Sequence, residues 1–203
     1  YPNTNYLQSV NRTSTLDNPN AYSTSTGDYF GNSVAISGNY TIVSAYWESD
    51  VSGTSSGKAY IFNVTTGQLL YTLNNPNAYS TSYNDNFGYS VAISGNYAIV
   101  GAYQEADAGG TSSGKAYIFN VTTGALGWTL NNPNTYSTSA SDYFGNSVSI
   151  SDKYIAVGAY DEDFGGDGSG SAYIFSLATG QLLWTLNDPN TYSTPDGDWF
   201  GRA

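Results

Sequence analysis

Half of the acidic residues in this chain gather in three loops, as Glu48 and Asp50, then Glu105 and Asp107, then Asp161, Glu162, Asp163 and Asp167. Carboxylates so placed among Gly, Ser and Thr are the material of a calcium site. Such an ion takes about six to eight oxygens from carboxylates, backbone carbonyls and water, and Gly-rich loops expose carbonyls well. The third loop, residues 161–168, is the strongest candidate, because four acids so close repel one another unless a cation joins them. Calcium is therefore the expected cofactor and these eight residues its candidate ligands. The plainer alternative is a set of solvated loops that keep a surface soluble.

Carboxylate pairs can also cleave glycosides. Here the acids recur in copied loops and no pair is peculiar to one place, whereas an active site is a single place. The sequence has no His and no Cys, which removes the commonest general base and every thiolate. No enzyme is expected. Gly109-Gly-Thr-Ser-Ser-Gly-Lys115 is no phosphate loop, since Ala116 stands where a magnesium-holding hydroxyl is needed and a strand follows.

Tyr22, Tyr79, Tyr136 and Tyr192 recur in polar segments. An exposed Tyr offers a flat apolar ring and a hydroxyl, suited to a sugar ring or a protein contact. These four are the tentative ligand-binding residues, with packing between repeats as the alternative. Asp28, Asp85, Asp142 and Asp198 each precede Phe-Gly by two positions and are expected to cap turns through a backbone N–H. The Phe of each copy is expected in the core.

The elements that must position these residues are repeated. Thr15-Leu-Asp-Asn-Pro-Asn20 returns at Thr72, Thr129 and Thr185, spacings of 57, 57 and 56. Asp28-Tyr-Phe-Gly31 and Ser56-Gly-Lys-Ala-Tyr-Ile-Phe62 return in register, with Ser171 replacing the Lys in the last copy of the second. A fixed period of this length means a propeller, solenoid or array. Four strands are predicted per unit. In the middle copy they are Ser90–Ser94, Tyr97–Tyr103, Lys115–Asn120 and Leu126–Leu130, with Gly95-Asn96 and Thr122-Thr-Gly124 as turns. Four short antiparallel strands make one propeller blade.

The expected fold is all-β, with three complete four-stranded blades and partial ends. The expected divisions are an eroded strand and linker at 1–32, blades at 33–89, 90–146 and 147–186, and a linker from 187 to 203. Three blades are too few for an ordinary closed ring. Either self-association or a longer parent chain is therefore expected, as is the loss of any signal segment, since Met is absent even at position 1. The net charge of −11 disfavours nucleic acid as a partner. No apolar run is long enough to be a membrane-spanning helix, and membrane insertion is not expected.

The succession Phe87-Gly88, Ser90-Val-Ala-Ile-Ser-Gly95, Ile99-Val-Gly-Ala102 and Ser113-Gly-Lys-Ala-Tyr-Ile-Phe119 resembles the FG-GAP repeat. That family builds the β-propeller heads of integrin α chains and many bacterial and phage surface proteins. The resemblance spans nearly all of residues 15–201. It implies adhesion or ligand binding at a cell or virion surface, often with calcium. Two departures matter. Tyr46, Tyr103 and Tyr160 replace the Pro of the family's Gly-Ala-Pro, and the first copy reads Ser44-Ala45-Tyr46. The Asp-rich calcium loop of integrin-type units is shortened to Ser37-Gly-Asn39, Ser94-Gly-Asn96 or Ser151-Asp-Lys153, so that site is not inherited. The expected function is an extracellular, non-catalytic binding or adhesion module with a protein or glycan ligand. The alternative is a structural surface element built by association of repeats, such as a filament, envelope or virion decoration.

Overall fold

A computed structural model describes residues 15–20, 26–50, 53–77, 83–134, 139–190 and 196–203. Its twelve named strands form three separate antiparallel sheets of four, each in sequence order. Blade 1 holds β1 (Phe30–Ser37), β2 (Tyr40–Ala45), β3 (Lys58–Asn63) and β4 (Leu69–Asn74). Blade 2 holds β5 (Ser90–Ser94), β6 (Tyr97–Ala102), β7 (Lys115–Asn120) and β8 (Leu126–Asn131). Blade 3 holds β9 (Val148–Ile150), β10 (Tyr154–Ala159), β11 (Ser171–Ser176) and β12 (Leu182–Asn187). The fold is all-β and the array of blades is not closed. The predicted strands of the middle copy differ from β5 to β8 by a residue at two ends.

The second and third strands of each unit are central, so both faces are covered and the alternation serves two cores at once. In β7, Tyr117 and Phe119 face blade 1, joining Ile42, Ala59, Ile61 and Leu73 in one cluster. Ala116 and Ile118 face the other way, into a cluster with Ile155, Val157, Tyr173 and Phe175 of blade 3. This is why those strands read as continuous apolar runs.

The Phe-Gly motif joins the blades. Phe87 and Phe144 are fully buried. Phe87 packs its ring against Tyr117 and Phe119 at centroid distances of 5.8 and 6.0 Å. Its N–H donates back to Ser56 O of blade 1 at 3.1 Å, and the next N–H, of Gly88, donates forward to Gly101 O of blade 2 at 2.9 Å. The approach is so close that a Cβ on Gly57 would lie 2.0 Å from Phe87 O. Gly114 meets Phe144 O at the same distance. Only glycine fits there, because the obstruction is backbone and φ is positive at both, +84° and +83°.

A buried carboxylate network and an aromatic rim

The acids of the three loops do not form one kind of site. In each loop the glutamate turns inward. Glu48, Glu105 and Glu162 are 0, 0 and 2% exposed. Glu48 accepts from Lys58 Nζ at 3.0 Å and Tyr60 Oη at 2.5 Å. Glu105 accepts from Lys115 Nζ at 2.8 Å and from Tyr117 Oη at 2.7 Å. Strand β3 or β7 delivers both donors to one face, because Lys and Tyr are two residues apart. Burial raises the carboxyl of Glu105 to about 7, against the opposing pull of its Lys115 and Tyr117 hydrogen bonds. The same burial, with the adjoining carboxylate, raises the hydroxyls of Tyr60 and Tyr117 far above the usual phenol range.

The remaining loop acids are engaged locally. Asp107 Oδ1 accepts from Gly109 N at 2.7 Å, and Asp163 Oδ1 from Gly168 N at 2.8 Å. Asp50 and Asp107 also bridge through backbone to Gly53 and Gly110. Asp163 and Asp167 are exposed and Asp161 is half-buried. Burial raises the carboxyl of Asp161, with added repulsion from Asp163 and Asp167. Among the described residues no three acidic side chains converge to hold a metal ion. Of the eight candidate calcium ligands, the three glutamates face the interior.

The aspartates ahead of Phe-Gly are held by a partner other than the expected backbone N–H. Asp85 Oδ2 accepts from Asn75 Nδ2 at 2.8 Å and Asn77 Nδ2 at 2.6 Å. Asp28 takes Asn18 and Asn20 in the same way, and Asp142 takes Asn132 and Asn134. The Asn-Pro-Asn segments after blades 1 and 2 thus lock the end of one blade to the start of the next. Burial raises the carboxyls of Asp85 and Asp142 to about 6, against those amide bonds.

Tyr22, Tyr79, Tyr136 and Tyr192 lie outside the described residues. A different set of aromatics forms a continuous band. Tyr29, Tyr46, Tyr89, Tyr103, Tyr143, Tyr160 and Trp199 touch ring to ring in that order, with centroid distances from 4.4 to 6.3 Å. Trp47 branches from Tyr29 at 5.1 Å, and the Arg202 guanidinium lies 4.6 Å over Trp199. The band crosses all three blades along one rim. Tyr46, Tyr103 and Tyr160 enter it from the turn after the second strand. Tyr29, Tyr143 and Trp199 enter from the residue before Phe-Gly, where φ is 53–56°. Burial raises the Tyr103 hydroxyl to about 12, with further upward push from Tyr89 and Tyr160. The recurrence of Tyr where the family has Pro was the visible signal for this band, although its partners were not.

The FG-GAP repeat model matches residues 21–62, 78–119 and 137–175, more than half of the sequence. The chain belongs to the FG-GAP repeat family. The three matches coincide with the first three strands of the three blades. FG-GAP repeats are a binding or structural repeat type rather than an enzymatic one. No curated protein matches the chain. Among solved structures, it is similar to the crystal structure of the computationally designed Ika4 protein, at 17% identity and a TM-score of 0.48, covering 81% of this chain and 75% of that one.

Proposed function

We propose that this FG-GAP chain is a non-catalytic binding or adhesion module of an extracellular surface, and that the aromatic rim is its contact surface. One observation carries the reading: seven aromatic rings in unbroken contact run across every blade. Rigid rings hold apolar area with little side-chain entropy to lose on binding, and Tyr and Trp add hydrogen-bonding tips. Tyr29, Trp47 and Trp199 are 53, 46 and 43% exposed, so part of the band is open to a ligand. Neutral amides adjoin it: Asn32 Nδ2 donates to Tyr89 O at 3.1 Å, and Asn86 hydrogen-bonds Tyr103 and donates to Gln104. The chemistry suits the apolar face of a sugar or a protein surface better than a small anionic metabolite.

The extracellular placement rests on the family's use in surface proteins. The non-catalytic reading is supported by the buried acids, whose oxygens are engaged with Lys and Tyr.

The test is retention of the fluorescently labelled chain on arrays of immobilised glycans and of cell-surface proteins. Tyr29→Ala with Trp47→Ala and Trp199→Ala should keep the wild-type circular dichroism and lose about tenfold or more in binding, as removal of central aromatic anchors does. Equal binding by the triple variant, or no binding by the parent chain, refutes the reading.

A second reading, a structural element built from associating repeats, is favoured by the uncovered sheet faces of the end blades. Val34 and Ile36 of β1 are 62 and 65% exposed and Trp184 of β12 is 67% exposed. Concentration-dependent association in light scattering would support it over a monomeric adhesion module.

A further inference from the structure

Blade 3 lacks one part that the other two share. Lys58 and Lys115 open β3 and β7, and the residue at the corresponding start of β11 is Ser171. Strand pairing sets these three positions opposite Asn74, Asn131 and Asn187, so all three side chains occupy the same face. In blades 1 and 2 the lysine arm runs along that face and sets its ammonium 3.0 and 2.8 Å from a glutamate oxygen. In blade 3 the glutamate is retained. Glu162 is 2% exposed and Tyr173 Oη donates to its Oε2 at 2.5 Å. The serine hydroxyl carries no charge; it donates to Asn187 Oδ1 at 3.2 Å, and its hydrogen bonding also pulls the Glu162 carboxyl down.

Beside that face, against Glu162, lies a cavity of about 310 Å³, lined by Glu162, Tyr173, Asn187, Thr185, Phe164 and Asn134 among others. Tyr173, Thr185 and Asn187 share the face on which the lysine arms run in the other blades. Phe164, 47% exposed, offers an apolar wall. The titratable groups acting on Glu162 are Tyr173, Asp142 and Asp163, and no cationic side chain is among them.

We propose that this cavity binds a primary alkylammonium group, set in the place that the lysine ammonium takes in the other two blades. The ammonium donates to Glu162 and to the Asn187 side-chain carbonyl, while its carbon arm lies along Phe164 and Thr185. Burial pushes the Glu162 carboxyl up to about 7, with Asp142 and Asp163 adding to the push and the Tyr173 and Ser171 hydrogen bonds opposing it. Binding therefore releases the carboxyl proton to solvent and leaves a carboxylate–ammonium pair, so that affinity rises as pH passes through about 7. The amine belongs either to a small free molecule or to a lysine of a partner protein. The site stands independently of the aromatic rim.

The probe is n-butylammonium chloride, which has the length of the missing arm, added to the purified chain at pH 8. The melting temperature should rise saturably with its concentration, as for any ligand that binds only the folded state. Tetramethylammonium chloride and sodium chloride at equal ionic strength, and n-butanol, should leave it unchanged. The response should weaken by about tenfold or more in apparent affinity at pH 5.5, where a group titrating near 7 is almost wholly protonated. Ser171→Lys supplies the amine from within, and Glu162→Gln removes the negative charge that pairs with it. Both should abolish the response.

A short lysine peptide and its Nε-acetylated counterpart separate the two sources. A shift with the unmodified peptide alone assigns the site to a partner's lysine, and a shift with butylammonium but neither peptide assigns it to a free amine. A shift matched by sodium chloride, absent altogether, or persisting in Ser171→Lys overturns the proposal.

Discussion

Replacing Phe87 by Ala tests whether the Phe-Gly motif holds adjacent blades together. Phe87 has no exposed surface and lies in a cluster drawn from both blades, with Ile42, Ala59, Ile61 and Leu73 on one side and Tyr117 and Phe119 on the other. Backbone hydrogen bonds to Ser56 and from Gly88 to Gly101 fix its position, so the site has little room to collapse around a smaller residue. Truncation of a Phe in such a place costs about 3–5 kcal/mol, the transfer term plus the cavity. Phe30 is the internal control. It packs on Tyr60 and Phe62 at 6.0 and 6.3 Å but is only half-buried, with no complete blade before it among the described residues. Its truncation should cost about half as much, since roughly half the area is withdrawn from water. Urea denaturation followed by tyrosine fluorescence and by far-ultraviolet circular dichroism measures both. Because blades in an array can unfold in sequence, the two probes should be compared before a single free energy is assigned. A loss below about 1 kcal/mol at Phe87, or an equal loss at Phe30, would refute the placement of this ring between blades.

The remaining predictions concern the buried acids. Glu162 titrates higher in the folded chain, about 7 against 4.5, so its neutral form is favoured there and stability is lost as pH rises from 4.5 through 7. That loss approaches roughly 3 kcal/mol at 1.36 kcal/mol per pH unit. Glu162→Gln should remove this part of the slope when urea midpoints are compared at pH 4.5 and 7.5, and parallel slopes would contradict the assignment. Ser171→Lys should flatten the same slope by pairing the carboxylate from within, as Lys115 pairs Glu105; an unchanged slope would mean that the new ammonium does not reach it. Asp85→Ala leaves the Asn75 and Asn77 amides without their acceptor and should cost about 1–3 kcal/mol. Less than about 0.5 kcal/mol in the same assay would make the aspartate a surface residue.

The architecture was legible in the sequence because its signals are local and threefold. Alternation along Ser90–Ser94, the Gly95-Asn96 turn and the return of each motif after 57 residues are properties of neighbouring residues. They specify strands and blades whatever lies across the interface, and Phe87 could be placed in the core from its company alone. The site followed other rules. Glu105 and Asp107 look alike as loop acids. Yet one is sealed against Lys115 and Tyr117, 10 and 12 residues further on, and the other bonds a glycine within its own turn. Which acid turns inward depends on where β7 sets its donors, and that requires the sheet to have formed. The aromatic band joins residues as far apart as Tyr46 and Tyr89 or Tyr103 and Tyr143, one from each of two blades. No window of sequence holds both members of such a pair. The loss of one lysine at Ser171 was plain in the sequence, but its consequence was not. The cavity against Glu162 exists only where β11 and β12 and the linker before blade 3 come together around it.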